Sequence, residues 1–186
     1  YVEKGSFELC RLMQIESTSM IDDLERIASD PYVDGFILGP NDLSGSVGEM
    51  LNTFGDATVS QVKRALEILK RHNKKVGLAC GCDEKKLRFW LDMGVDGFRE
   101  DVITFISKKD GLPSDYIMPA SRGIRYYNHG PRIHEYLHEF KRDVLDNYDC
   151  VTLAEAPLVS PKVALSYIEE GDDQQIDMMI QFETQC

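Results

Sequence analysis

The stretch RFWLDMGVDGFREDVI at residues 88–103 contains the features that decide the fold. It begins with apolar residues at helical spacing and passes through Gly94 into the short apolar run at residues 95–98. A step from an amphipathic helix into a buried strand is typical of an α/β unit. The run is followed at once by charged residues, Arg99, Glu100 and Asp101, which lie at the carboxyl end of the predicted strand.

The same alternation continues on both sides of this stretch. Apolar runs predict six strands, at residues 12–15, 33–38, 76–80, 95–98, 150–154 and 178–182. Apolar stripes between them predict helices, including one from Ile21 to Ala28 and a long one from Ile133 to Tyr148. Near-continuous apolar strands that alternate with helices indicate a parallel sheet covered by helices.

We therefore predict the α/β class, with parallel β/α units that form a partial TIM barrel of about six strands. The chain has 186 residues, whereas a complete barrel typically needs about 250. An open doubly wound sheet fits the same order of elements, but no G-x-G-x-x-G motif follows the first strand.

The composition excludes some classes of binding partner. The chain has 32 acidic and 21 basic residues and a formal charge of −11, which disfavours nucleic acid as a partner. Its apolar runs are far shorter than the about 20 residues that cross a bilayer, so we expect no membrane. Five scattered cysteines are typical of a reducing, cytoplasmic location. We expect a small-molecule substrate.

Carboxylates occur at the ends of five predicted strands: Glu16, Asp42, Asp101, Glu155 and Glu183. In parallel α/β folds the functional residues lie at this end of the strands. Solvated strand ends or helix caps would also explain each of them singly. As neighbouring pairs, Glu16 and Asp42 suit Mg²⁺ or Mn²⁺, while Asp101 and Glu155 suit glycosidic bond cleavage. Spacing alone does not choose between these two chemistries.

The first half of the chain resembles the HpcH/HpaI aldolase family of metal-dependent, pyruvate-type aldolases. The matching motifs are MQIES at 13–17, VDGFILGPNDLS at 33–44 and KKVGLACG at 74–81. The resemblance implies that Glu16 and Asp42 hold Mg²⁺ or Mn²⁺ and that Gln14 bonds the pyruvyl group. It places the Gly39–Pro40 backbone beside the substrate carboxylate. The half of that family which supplies the catalytic His and Arg has no counterpart here, so carbon–carbon cleavage would lack its base.

From about residue 87 the chain resembles the α-glucosidases of the α-amylase superfamily, close to oligo-1,6-glucosidases. The motifs are RFWLDMGVDGFREDVITFISKKDGLP at 88–113, HGPRIHEYLHEF at 129–140, VTLAEAPLV at 151–159 and MMIQFE at 178–183. The resemblance implies that Asp101 is the nucleophile, Arg99 its stabilising partner and Glu155 the acid/base. His129 is a candidate substrate-binding residue. Glu100 departs from the family, which commonly has Met there.

We thus predict two segments, an aldolase-like one at 1–90 and an α-glucosidase-like one at 91–186, that share one continuous sheet. The function we expect first is a retaining glycoside hydrolase acting on α-glucosides, which needs no cofactor. A divalent-metal-dependent lyase acting on 2-oxo acids is the alternative, and an inactive barrel fragment or chimera is a third. Unpaired edge strands favour a homo-oligomer that completes the barrel.

Overall fold

A computed structural model describes residues 10–81, 83–111, 113–114, 123–169, 171 and 174–181. Its strands are β1 Leu12–Ile15, β2 Gly35–Leu38, β3 Lys75–Cys80, β4 Gly97–Glu100, β5 Val151–Ala156 and β6 Met178–Gln181. Its α-helices are α1 Thr18–Asp22, α2 Leu24–Ala28, α3 Pro40–Ser46, α4 Asp56–Arg71, α5 Glu84–Met93, α6 Ile133–Asp143 and α7 Pro161–Ile168. The predicted strand-end Glu183 lies outside the described residues.

The strands follow one another in the order of the sequence, from β1 to β6. β1 runs parallel to β2 with Ile15 opposite Leu38, and β2 runs parallel to β3. β5 runs parallel to β6 with Glu155 opposite Ile180. Parallel neighbours joined through helices confirm the α/β class and the partial TIM-barrel fold.

The chain forms two compact units. One contains residues 1–80 and 89–98, and the other contains residues 81–88 and 99–186. In the first unit, β1 to β3 bury one face, and helix α4 turns Val62, Ala65 and Leu69 inward. Full burial of a Val or Leu side chain stabilises the fold by about 1.5–3 kcal/mol.

The second unit has its own apolar core. It is formed by Ile103, Ile133, Leu137, Ala154, Tyr167 and Ile176, all of which are essentially inaccessible. Helix α7 begins with Pro161 in its first turn, and the side chain of Ser160 caps it by accepting a hydrogen bond from the Val163 N–H at 3.4 Å. The helix then buries Ala164 and Tyr167.

An aspartate directly before β2, β4 and β6 ties each of these strands to its predecessor. Asp34 accepts from the Arg11 N–H at 2.7 Å, and Asp96 accepts from the Val76 N–H at 2.9 Å. Asp177 accepts from the N–H and the hydroxyl of Thr152, both at 2.8 Å. These carboxylates satisfy backbone donors at the strand starts and fix how neighbouring strands align.

Several element ends differ from the sequence prediction. β4 begins at Gly97 rather than at Val95, because the Val95 N–H still donates to the Trp90 carbonyl at the end of α5. The stripe from Ile21 is split into two helices at Asp23. The long stripe from Ile133 ends its α-helix at Asp143, because Val144 leaves helical geometry with φ −120° and ψ −65°.

Helix α3 was not predicted. Pro40 at its first position, directly after Gly39, is the local signal for this start, since proline is preorganised for a helix N-terminus. Among the described residues, no helix has the length and apolar content that crossing a membrane requires.

We expect Asp96→Ala to lower the free energy of unfolding by about 1–3 kcal/mol, because the Val76 N–H loses a charged acceptor. Urea unfolding followed by circular dichroism measures this loss. Asp22→Ala is the matched control, since it removes only an exposed ion pair with Arg64 and should cost less than about 1 kcal/mol. Equal losses of unfolding free energy in the two variants would show that the Asp96 hydrogen bond stabilises the fold no more than an exposed ion pair does.

Candidate active site

Alternation along β4 and β5 sorts their side chains onto two faces. Arg99 and Glu155 are partly exposed, whereas Glu100, Ala154 and Ala156 are buried. Successive side chains on a strand point to opposite faces of the sheet. Arg99 and Glu155 therefore meet on the partly open face, and Glu100 points the other way.

Arg99 joins the two carboxylates that the sequence singled out. Its Nη2 lies 2.9 Å from Asp101 Oδ1 and 2.7 Å from Glu155 Oε2. The side chain of Asp101 is 61% exposed, whereas that of Glu155 is only 17% exposed. The structure thus brings Arg99, Asp101 and Glu155 together, with one carboxylate open to solvent and the other largely covered.

The surroundings of Glu155 favour its protonated form. Burial raises its pKa above the ordinary value, and a hydrogen bond with the Asp101 carboxyl raises it further. The Arg99 guanidinium and the Val102 backbone N–H act in the opposite direction. Two carboxyl groups in contact cannot both carry a full charge at low cost, so one of them keeps a proton more readily.

The segment after β4 is fixed by backbone contacts. The His129 N–H donates to the Thr104 carbonyl at 2.9 Å. A Cβ added to Gly130 would lie 2.0 Å from the Ser107 carbonyl oxygen, so only glycine permits this approach. The Arg132 N–H donates to the Ser107 hydroxyl at 2.9 Å. These contacts hold the turn that leaves the carboxylate site.

His129 faces a buried tyrosine. Its Nδ1 lies 2.5 Å from the Tyr167 hydroxyl oxygen, and its ring packs edge-on against Tyr167 at a centroid distance of 5.5 Å. Burial and the nearby His134 lower the pKa of His129. One ring nitrogen of His129 is thus engaged within the protein, and its predicted contact with substrate stays a prediction.

The aldolase-like residues lie at the end of β1 and the start of α3. Gln14 Nε2 donates to Glu16 Oε1 at 2.5 Å. A Cβ on Gly39 would come 3.0 Å from Glu16 Cγ, so the glycine leaves room for this side chain. The Gly39 N–H donates to the Ile15 carbonyl at 2.8 Å, and Pro40 has no N–H. The Gly39 N–H is thus already engaged within the chain, and Pro40 has no N–H to donate to a substrate carboxylate.

Glu16 and Asp42 are oxygen ligands of the kind that Mg²⁺ and Mn²⁺ prefer, and both are exposed. Asp42 lies in the first turn of α3. The described part of the chain contains no group of three or more His, Cys, Asp or Glu side chains placed to hold a metal ion. A cation at Glu16 and Asp42 would thus keep most of its coordination sites for water or a ligand.

Glu100 is the unexpected feature of this region. It is 1% exposed, and neither carboxyl oxygen has a hydrogen-bond partner among the described residues. Burial raises its pKa to about 8, with a further contribution from the charge of Asp177. The departure from Met at this position does not place the Glu100 carboxyl group on the face that carries Arg99 and Glu155. Its charged neighbour is instead Asp177 on the buried side of the sheet.

Two family models match the chain. The model described as alpha amylase, catalytic domain, matches residues 59–185, and the model described as HpcH/HpaI aldolase/citrate lyase matches residues 4–88. Both resemblances predicted from the motifs are confirmed. Residues 59–88 lie within both matches.

Curated relatives agree with the larger match. An oligo-1,6-glucosidase of Parageobacillus thermoglucosidasius is 45% identical over 100 residues, which are 52% of this chain and 18% of the relative. An oligo-1,6-glucosidase of Heyndrickxia coagulans is 35% identical over 161 residues, which are 83% of this chain and 28% of the relative. The chain therefore spans less than a third of the length of these relatives.

A solved structure extends the similarity of fold. Trehalose-6-phosphate hydrolase of Bacillus licheniformis superposes with a TM-score of 0.72 at 19% identity. The superposition covers 93% of this chain and 48% of the hydrolase chain. At this identity the likeness concerns the fold alone.

Sequence reasoning missed one residue of this site. Val102 follows Asp101 with φ 43° and ψ 42°, which is left-handed backbone. β-Branched residues very rarely adopt this conformation, so no propensity would have indicated it. The only sign in the sequence that Val102 belongs to this site is that it directly follows the expected nucleophile.

We expect Glu100 to make stability fall with rising pH. The folded-state pKa of about 8 lies above the ordinary 4.5, so the free energy of unfolding decreases as pH rises from about 4.5 to about 8 and then levels off. At about 1.4 kcal/mol per pKa unit, the loss amounts to a few kcal/mol. Thermal unfolding of Glu100→Met at pH 5 and pH 9 should show a larger gain in Tm at pH 9.

The exposed Glu139→Gln is the control for this prediction, and it should leave the pH profile of Tm unchanged. A gain for Glu100→Met that is the same at both pH values would mean that packing, and not ionisation, limits stability at this position.

Proposed function

This chain belongs to the alpha-amylase catalytic-domain family, and we propose that it carries the nucleophile and the acid/base of a retaining hydrolase that acts on α-glucosides. The observation that carries this proposal is the bridge from Arg99 to both Asp101 and Glu155. The oligo-1,6-glucosidase relatives support α-glucosides as the substrate class.

The different environments of the two carboxyl groups suit different roles. Asp101 is open to solvent and lies against the Arg99 guanidinium, a position from which its carboxyl oxygen can attack an anomeric carbon. Glu155 is largely covered and its pKa is raised, which favours the protonated form that donates to the glycosidic oxygen. Arg99 holds both groups in place and stabilises negative charge on Asp101 as the glucosyl–enzyme bond breaks.

The second half of the reaction uses the same pair. After the leaving group departs, Glu155 is ionised and accepts a proton from water, whose oxygen attacks the anomeric carbon and displaces Asp101. An inverting enzyme would need its carboxyl groups about 6.5–9.5 Å apart to admit that water in a single step. Asp101 and Glu155 bond to one nitrogen and to each other, so their contact supports the retaining route.

Association of copies is part of the proposal. β1 and β6 stand at the two ends of the strand order, so within the described residues each pairs with one neighbouring strand. Apolar side chains on these two strands are exposed, with Leu12 at 44% and Met178 at 45%. Unpaired edges of a parallel sheet favour pairing with another chain, and we propose that a second copy supplies it.

Metal binding at Glu16 and Asp42 is a second, separate proposal. The contact of Gln14 with Glu16, beside a glycine that leaves room for the carboxylate, supports a preformed arrangement of polar groups there. A bound Mg²⁺ or Mn²⁺ would supply charge stabilisation for a 2-oxo acid. Gln14 would orient such a ligand by hydrogen bonding.

A cytoplasmic location is likewise proposed. The sequence supports this proposal, because its five cysteines are scattered and odd in number, as is typical of a reducing compartment.

We expect release of p-nitrophenol from p-nitrophenyl α-glucoside to be lost in Asp101→Asn, because no carboxylate remains to attack. Glu155→Gln should lose about 10²–10⁴-fold on an α-1,6-linked disaccharide, whose departure needs a proton, and much less on the nitrophenyl glucoside. Rates on the two substrates, measured for each variant, check both roles.

Glu135→Gln is the matched control, since it changes an exposed acid that pairs with Arg132 in the same unit. Unchanged hydrolysis in Asp101→Asn, or equal losses on both substrates in Glu155→Gln, would contradict the assignment.

Light scattering on the same preparation should show a mass above that of one chain, and a monomeric mass would contradict the proposed association.

For the metal, we expect a Mn²⁺ titration followed by electron paramagnetic resonance to show one bound ion, because the two carboxylates replace water molecules in the coordination shell of the ion. Glu16→Gln and Asp42→Asn should each weaken binding at least about tenfold. Asp22→Asn is the control. Binding that survives both variants would exclude this site.

A further inference from the structure

Aspartate followed directly by glycine occurs at three places in the chain: Asp34–Gly35, Asp96–Gly97 and Asp110–Gly111. Such a pair can react with itself, because glycine has no Cβ to hinder the approach to its nitrogen. The glycine nitrogen attacks the side-chain carboxyl carbon, a nitrogen–carbon bond forms, and the hydroxyl group leaves as water with the proton of that nitrogen. Water then opens the resulting succinimide ring at its main-chain carbonyl, and the product is isoaspartate. Water is the only reagent that this sequence of steps needs.

The fold engages both reacting groups of the first pair. Asp34 Oδ2 accepts from the Arg11 N–H at 2.7 Å, and the Gly35 N–H donates to the Arg11 carbonyl at 3.3 Å. A Cβ added to Gly35 would lie 2.9 Å from Leu12 Cδ2, so packing favours glycine at this position. The reactive pair is therefore required by the fold, and the contacts with Arg11 hold its two groups apart.

The second pair is held by two residues of β3. Asp96 Oδ2 accepts from the Val76 N–H at 2.9 Å, and Asp96 Oδ1 lies 2.6 Å from Lys75 Nζ. Both carboxyl oxygens are thus bound to the preceding strand. The carboxyl carbon can approach the Gly97 nitrogen only after these charge-assisted contacts break.

The third pair is open. Asp110 and Gly111 are exposed, and within the part of the chain that the structure describes neither the Asp110 carboxyl group nor the Gly111 N–H has a hydrogen-bond partner. Arg132, on which the charge of Asp110 acts, donates through Nε to Glu135 at 2.7 Å instead. A Cβ added to Gly111 would meet no atom within 4 Å, so there is room for a succinimide ring.

We propose that Asp110 is a site of spontaneous isoaspartate formation in the folded protein, and that the contacts of Asp34 and Asp96 protect the other two pairs. Isoaspartate carries the main chain through its side-chain carbons, which adds one carbon atom to the backbone before Gly111 and leaves a free carboxyl group. This group makes the modified chain a substrate for methyltransferases that esterify isoaspartate with S-adenosylmethionine. The proposal does not depend on the proposed glycosidase function.

Peptide mapping of the aged protein tests the proposal. The whole chain is incubated at neutral pH and digested with trypsin, which places the three pairs in separate peptides, residues 27–63, 89–99 and 110–122. Electron-transfer dissociation mass spectrometry then distinguishes isoaspartate from aspartate at unchanged peptide mass. We expect at least about tenfold more isoaspartate in peptide 110–122 than in either of the others, which corresponds to about 1.4 kcal/mol of activation free energy.

Two controls separate the fold from the sequence. Incubation of the same chain in urea should remove the difference, because unfolding breaks the contacts of Asp34 and Asp96 and all three pairs become equally accessible. Asp110→Glu keeps the charge but would have to close a six-membered ring, so peptide 110–122 should stay unmodified. Circular dichroism shows that this variant is folded during the incubation.

Two results would overturn the proposal. Equal amounts of isoaspartate in the three peptides of the folded protein would show that the contacts of Asp34 and Asp96 do not protect them. Isoaspartate in peptide 110–122 after incubation in urea, but not after incubation of the folded protein, would show that the fold protects Asp110 as well.

Discussion

The alignment of neighbouring strands is the constraint on which the rest of the structure depends, and carboxylates at the starts of β2, β4 and β6 secure it. Asp96 and Asp177 each accept a main-chain hydrogen bond from the preceding strand, and Asp34 accepts one from Arg11, directly before β1. A slip of one residue would exchange the two faces of a strand. Fixing the start of a strand therefore also fixes which of its side chains face the core.

The candidate active site follows from that alignment. Because β4 is held in one register, Arg99 faces the same side as Glu155, and Glu100 is forced into the core. The same arrangement brings Arg99 to Glu155 and carries a cost in stability, since Glu100 must be buried without a hydrogen-bond partner among the described residues. A Met at this position, as the family resemblance leads one to expect, would avoid the cost.

Much of the fold was predictable because it depends on the spacing of apolar residues and on the order of strands and helices along the chain. The six apolar runs and their alternation with helices predicted the parallel sheet, and motif resemblance predicted that Arg99, Asp101 and Glu155 would meet. The helix break at Val144 and the left-handed Val102 were not predictable. Both depend on tertiary contacts, and local preferences for a β-branched residue give no sign of either conformation. Helix α3 had a local signal, Pro40 after Gly39, that apolar periodicity does not register.

The bond between Asp96 and Val76 has a consequence for how such a chain can arise by recombination. Val76 lies among the residues that match both family models, and Asp96 lies in the part that matches the amylase model alone. The donor is a main-chain N–H, which every residue except proline supplies, so a crossover between these two positions needs only an aspartate directly before the following strand. This contact therefore requires no complementary side chain on the other side of the seam.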